Sequence, residues 1–303
     1  MRSDWMMLVA CGAWLTLLPL LVRFRTTVLL TSMRQAWLAT CIAWSVWFVV
    51  LVTSALSVLT DWAACLWYFA AVTALVPPIA VLGARTPINR AWSWFVLVPL
   101  VLVLSWPIMP VVWSGAVHRS PFDLETPLLL GYLLVLVMGT GNYLGLSHTV
   151  SAILYMLGPC LVVLPFCPAT AGWVPAVAAA RAWAAFSFVA AGWFVVVQIR
   201  NRERRARSSI RLDLAFADFR ELFGIVWTRR LLERFNDDAR RQSRELRLEI
   251  HGVTTVKGVH PGPEVSAAEW AAAEQSFRWL LQKFVTVTWL DARLSGDGPP
   301  HNR

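Results

Sequence analysis

The sequence predicts an all-α membrane protein: about seven transmembrane helices, N-terminus out and C-terminus in, followed by a small, mostly helical cytoplasmic domain. Three observations carry that expectation. Hydrophobic residues make up 57% of the 303-residue chain and charged residues only 15%, against about 25% charged in a soluble domain. The charge is also uneven: residues 1–199 hold 8 of the 27 Lys and Arg and 4 of the 18 Asp and Glu. Long apolar runs recur through that same stretch, and none shows the alternating pattern of an outer-membrane barrel. The organisation expected is a helical bundle over 1–199, a basic juxtamembrane linker over 200–211, a cytoplasmic domain over 212–295 and a disordered tail over 296–303.

A spanning helix needs about 20 mostly apolar residues, and seven segments qualify: roughly 5–22, 36–59, 62–84, 91–113, 127–146, 149–168 and 175–198. The first is read as a retained span, because "MRSD" is hardly basic and no small-x-small cleavage site precedes Arg23. Turns at Thr60–Asp61 and Ser147–His148 are expected to be tight. With the N-terminus outside, the inner loops collect Arg23, Arg25, Arg34, Arg85, Arg90, Arg200, Arg202, Arg204, Arg205, Arg207 and Arg211. Only Arg2 and Arg119 fall outside, an asymmetry that sets the orientation. Trp5, Trp62, Trp113 and Trp173 would mark the outer interface, and Trp37 and Trp92 the inner one. Trp44, Trp47, Trp67 and Trp183 would lie deeper as packing groups.

Missing residues narrow the chemistry. The only lysines are Lys257 and Lys283, so no Schiff base can form within the bundle. His118 and His148 sit in or beside loops and make no facing pair for haem. The five cysteines, at 11, 41, 65, 160 and 167, include no C-x-x-C pair, so they read as small buried apolar groups. His251 and His260 have no ligand set around them, and no cofactor or metal is expected. Asp61 and Arg181 are the ionisable groups near the spans, both in the outer third. Arg181 could snorkel to headgroups while Asp61 faces water, the two could pair, or they could bind a solute. Prolines at 19, 77, 78, 99, 107, 110, 159 and 165 free carbonyls and permit kinks, a feature shared by transporters and by ordinary membrane helices.

The stretch "MGTGNYLGL" at 138–146 superficially suggests a phosphate-binding loop. A dinucleotide fingerprint needs a third glycine where Leu144 stands, and a preceding strand where an apolar helix is expected. Gly139, Gly141 and Gly145 therefore read as aids to close helix approach and a turn. Asn142 reads as a polar group capping or bridging helices.

Beyond the bundle, "RNRERRARSSIR" places Arg200, Arg202, Arg204, Arg205 and Arg207 where anionic headgroups at the cytoplasmic face would attract them. The same cluster also serves as a topology anchor, and nucleic acid is not an expected partner. From about 209 to 243 the pattern is helical, with Phe219, Phe223, Trp227, Leu231 and Phe235 recurring every four residues. "ELRLEIHG" reads as a short strand. A second helix opens on the capping box Ser266–Glu269 and is expected to run towards Trp289–Leu290.

Several stretches, among them "PPIAVLGARTP", "GNYL", "FRELFGIVWTRRLLERFN" and "RWLLQKFVTVTWLDARL", resemble a group of uncharacterised multi-pass membrane proteins of planctomycete bacteria. The similarity extends over most of the chain. It implies a bacterial cytoplasmic (inner) membrane and assigns neither activity nor site. No catalytic residue is singled out. The function expected from the residues is that of a non-enzymatic scaffold, assembly or accessory subunit whose tail contacts a cytoplasmic or membrane protein. The alternative is a transporter or permease subunit for an uncharged or lipid-like solute. A membrane enzyme ranks lowest, for want of clustered Asp, His or Arg at an interface.

Overall fold

The computed structural model describes residues 2–85, 89–114, 122–174, 176–205, 211–262 and 264–294. The chain is mostly helical. Six of its helices are long and apolar enough to cross a membrane. In chain order the apolar helices are α1 (Trp5–Leu29), α2 (Arg34–Ala55), α3 (Thr60–Leu82), α4 (Phe95–Trp113), the shorter α5 (Thr126–Gly141), α6 (Thr149–Phe166) and α7 (Val177–Asn201). Although α5 has only 16 residues, it runs between the same two levels as its neighbours. The Leu124 N–H donates to the Phe166 carbonyl at the far end of α6, and Asn142, past the other end, meets the C-terminal tail.

Three expectations about these helices need correction. Pro19 sits in the first turn of a helix that continues to Leu29, a position for which its fixed φ is suited. Arg23 and Arg25 thus lie within a helix and not in a loop. At the other end, no Gly or Pro interrupts residues 193–205, and the last helix runs on to Arg205. The first half of the expected basic linker is therefore helical. Arg200 is exposed there; the side chains of Arg202, Arg204 and Arg205, and the whole of Arg207, lie outside the described residues, as do His118, Arg119 and the segment 296–303. Finally, Trp183 is 63% exposed on the bundle perimeter, because α7 turns its alanines, Ala182, Ala184 and Ala185, towards the core.

The centre of the bundle is filled with aromatic rings. Trp14 stacks on Trp47 at 5.5 Å, and Trp67 and Phe188 meet Trp47 edge-on at 5.6 and 4.8 Å. A buried indole needs an acceptor for its N–H. Trp47 finds the Ala70 carbonyl at 2.7 Å, Trp67 the Ser54 hydroxyl at 3.0 Å and Trp14 the Trp44 carbonyl at 3.1 Å.

Tyrosines complete the accounting where helices break. Pro78 has no N–H to give the Ala74 carbonyl, and the Tyr155 hydroxyl donates to that oxygen at 2.6 Å. Leu75 N–H turns to Val72, which leaves the Ala71 carbonyl for the Tyr132 hydroxyl at 2.8 Å. Beside Pro107, Ile108 N–H bonds Ser105, and the Tyr68 hydroxyl takes the Leu104 carbonyl at 2.7 Å. Proline breaks at these points are filled from within the protein.

The tail contains α8 (Arg211–Arg241), β1 (Leu246–Glu249), β2 (Gly252–Thr255), α9 (Ala267–Leu281) and α10 (Val287–Leu294). The expected single strand is half of an antiparallel hairpin, with Leu246 opposite Thr255 and Leu248 opposite Val253. Ser266 caps α9 by accepting from Glu269 N–H at 3.1 Å. The Glu269 carboxylate does not close the box but accepts from the N–H groups of Glu245 and Leu246, tying α9 to β1. The second helix also stops earlier than expected. The chain leaves the helix after Leu281, and the backbone of Val285 and Thr286 pairs with the end of α1 before α10 begins at Val287. Phe216, Phe219, Phe223, Leu231, Phe235, Phe277 and Trp289 form the tail's own core.

If Tyr155 fills the carbonyl that Pro78 frees, Tyr155→Phe will destabilise the detergent-solubilised protein by about 1–2 kcal/mol. The loss will be smaller in a Pro78→Ala background, where the backbone regains an N–H at that position. A thermal double-mutant cycle measures this, and additive effects would show that the two groups act independently.

Candidate functional site

The site follows from a break in α8. A straight helix advances 100° per residue, so five side chains spaced by four would drift about 160° around its axis. Phe219, Phe223, Trp227, Leu231 and Phe235 are nevertheless all buried. Gly224 re-phases the helix between the second and third of them, at φ 78° and ψ −176°. That conformation is essentially restricted to glycine. A Cβ there would also lie 2.2 Å from the Asn142 amide nitrogen.

Breaking a helix orphans donors on one side and acceptors on the other. Two residues of the α5–α6 turn satisfy four of them. The Asn142 carbonyl accepts from Ile225 N–H at 2.8 Å, and its side-chain oxygen accepts from Val226 N–H at 3.0 Å. Its side-chain amide donates to the Phe223 carbonyl at 2.9 Å, and the Tyr143 hydroxyl donates to the Leu222 carbonyl at 3.0 Å. Desolvation and the Glu221 carboxylate push the Tyr143 phenol pKa up, which keeps the hydroxyl protonated as a donor. Asn142 thus caps both halves of a helix more than 80 residues away in sequence. It is only 2% exposed.

This capping depends on where α5 ends. An α5 continuing to 146 would direct the Asn142 carbonyl to Leu146 N–H. The helix instead stops at Gly141, Leu146 N–H bonds the Tyr143 carbonyl, and the Asn142 carbonyl is released. The turn is therefore longer than the Ser147–His148 connection expected. Of its glycines, Gly139 packs so close to Pro78 that a Cβ would approach within 2.9 Å, and Gly145 takes φ 80°. Gly141 faces open space, so the close-approach role expected of it is not needed.

A polar cluster adjoins the latch. The buried Glu221 carboxylate accepts from the Ser147 hydroxyl and from the Arg220 guanidinium at 3.1 Å. His148 lies between two partners, with Nδ1 2.7 Å from the Gln198 side-chain oxygen of α7 and Nε2 3.5 Å from Glu221. Arg220 also donates to the Ile250 carbonyl in the hairpin turn. One cluster therefore joins the α5–α6 turn, the end of α7, α8 and the hairpin.

Two further contacts hold the tail. Trp227 Nε1–H donates to the Val81 carbonyl at the end of α3 at 3.1 Å. Leu30–Ser32, at the end of α1, pairs antiparallel with the α9–α10 connection. Ser32 N–H bonds the Phe284 carbonyl at 2.7 Å, and Thr286 N–H bonds the Leu30 carbonyl at 2.9 Å.

The other singled-out residues lie apart from this site. Arg181 is half-buried, its guanidinium 5.5 Å from the centre of the Trp67 ring. Asp61 stands in the 3₁₀ turn that opens α3. Arg200 is on α7 beyond Gln198. Among the described residues, no three His, Cys, Asp or Glu side chains gather closely enough to hold a metal ion. The arrangement satisfies the tail's backbone groups with groups of the bundle and fixes one part of the chain upon another. Asn142 was legible as a bridging group. Gly224 was missed, although an isolated glycine within a helical pattern, together with a strict four-residue aromatic spacing, carried the signal.

Asn142→Leu leaves the Phe223 carbonyl and Val226 N–H without partners, and should cost about 2–5 kcal/mol. Gly224→Ala adds a forbidden φ and a collision. Both variants should melt earlier in detergent and expose α8 to trypsin, whereas Gly141→Ala should match the wild type in both assays.

No protein-family model, curated protein or solved structure matches the chain.

Proposed function

We propose that the chain is a non-enzymatic membrane component, a scaffold, assembly or accessory subunit, whose tail is held as a fixed platform for a protein partner. The observation that carries this reading is the latch at Asn142. A tail tied by its backbone to α1 and the α5–α6 turn, and by the Trp227 indole to α3, presents its outer surface in one orientation. Such preorganisation reduces the ordering cost of association.

In this reading α5 counts as a crossing, which gives seven, and the excess of Lys and Arg at the tail-side ends puts the tail in the cytoplasm. The resemblance to planctomycete membrane proteins supports a bacterial inner membrane. Arg200, Arg202, Arg204, Arg205 and Arg207 are then the residues that anionic headgroups would attract. Asp61 and Arg181 stay near the opposite face. The permease reading has less support, because the carbonyls beside Pro78 and Pro107 are taken by tyrosines and the centre is occupied by the Trp47 cluster.

Capture of the full-length protein in mild detergent should recover a stoichiometric partner. That partner should be lost on truncation after Arg207 and depleted with Gly224→Ala, whose tail is released. A partner-free monomer, or a partner held equally by the truncated chain, would contradict the proposal.

A further inference from the structure

A second surface of the tail lies beside the end of α1. The α9–α10 connection is hydrogen-bonded to Leu30 and Ser32, immediately after the last apolar residue of α1. Flanking that seam, Trp279 is 60% exposed and Val287 59% exposed. On the same two helices and their connection, Phe277, Leu280, Leu281, Phe284 and Trp289 are buried in the tail's core. Lys283, one helical turn after Trp279, holds its ammonium 4.6 Å from the centre of the indole ring.

The position of the seam in depth follows from α1. Trp37 Nε1–H bonds the Leu21 carbonyl, which sets the start of α2 level with the point where α1 becomes basic. Arg23 and Arg25 follow, both exposed, and then Leu29 and Leu30, also exposed. A helix that leaves the hydrocarbon region through two arginines and still shows two leucines is suited to the headgroup layer. The seam joins the tail to those leucines. Trp and Lys share the chemistry of that layer: an indole with an apolar face and a polar N–H, and an ammonium on an apolar stem.

We propose that the Trp279–Lys283–Val287 surface of the tail lies against the adjoining leaflet and binds its anionic headgroups, with Arg23 and Arg25 completing the basic rim. This contact is distinct from the basic run after α7, and it holds whether or not the tail also recruits a protein. It makes the tail a reader of leaflet charge, since a surface potential acts on Lys283 and the two arginines together.

Full-length protein labelled with 5-fluorotryptophan and placed in nanodiscs tests the contact. The Trp279 resonance is identified by its loss in Trp279→Phe. With a gadolinium chelate on a fraction of the headgroups, that resonance should broaden strongly while the buried Trp289 resonance does not. Replacing part of the phosphatidylcholine with phosphatidylserine should shift it, and Lys283→Glu should abolish the shift. An unbroadened Trp279 overturns the proposal and leaves the surface free for a protein. Broadening with no response to phosphatidylserine overturns the anionic specificity.

Discussion

Backbone groups exposed inside a helix must find partners, and at Gly224 those partners come from the membrane bundle. α8 needs its break, because five aromatic and aliphatic side chains at four-residue spacing cannot all face one core from a straight helix. The break leaves Leu222, Phe223, Ile225 and Val226 with unmet hydrogen bonds. Asn142 and Tyr143 meet them at 2.8–3.0 Å. The folding of the tail and its docking on the bundle are thus one event. The tail cannot leave without exposing the ends of its own helix.

The same constraint governs the interior. The chain has four tyrosines, and every one donates its hydroxyl to a backbone carbonyl on another element. Three of those carbonyls belong to irregular turns beside prolines. Phenylalanine would fill equal volume there but leave an acceptor unpaired, at about 1–3 kcal/mol in a site without water. Away from such breaks the core uses Phe, and Trp whose indole N–H reaches a carbonyl or hydroxyl, as in the cluster of Trp14, Trp47, Trp67 and Phe188. The breaks beside Pro78 and Pro107 are therefore points of cross-linking between helices.

How much of this was legible depended on the range of the interaction. Apolar length located six helices, and the Ser266 cap placed the start of α9, because both are local properties. The burial of Phe219, Phe223, Trp227, Leu231 and Phe235 was also readable from their spacing. Helix ends were less so. Arg23 and Arg25 read as a loop, yet Pro19 begins a helix that carries them, and the basic run after α7 extends that helix. Trp183 read as a packing residue, but the alanines beside it won the inward face. The break at Gly224 and its partner Asn142 lie 82 residues apart (224 − 142), and neither residue alone specifies the other. The shortness of α5 makes sense only with the tail in place, since it frees the carbonyl that Ile225 uses.

The central claim is that Asn142 holds the broken segment of α8 closed. Hydrogen exchange over Leu222–Thr228 in the full-length protein tests it most directly, because the Ile225 and Val226 amides have no helical acceptor of their own. The account predicts slow exchange in the wild type and exchange about tenfold to a hundredfold faster in Asn142→Leu, the equivalent of roughly 1.4–3 kcal/mol of lost protection. Equal protection in the two proteins would show that the break is satisfied by something else, and the latch would no longer explain the fold.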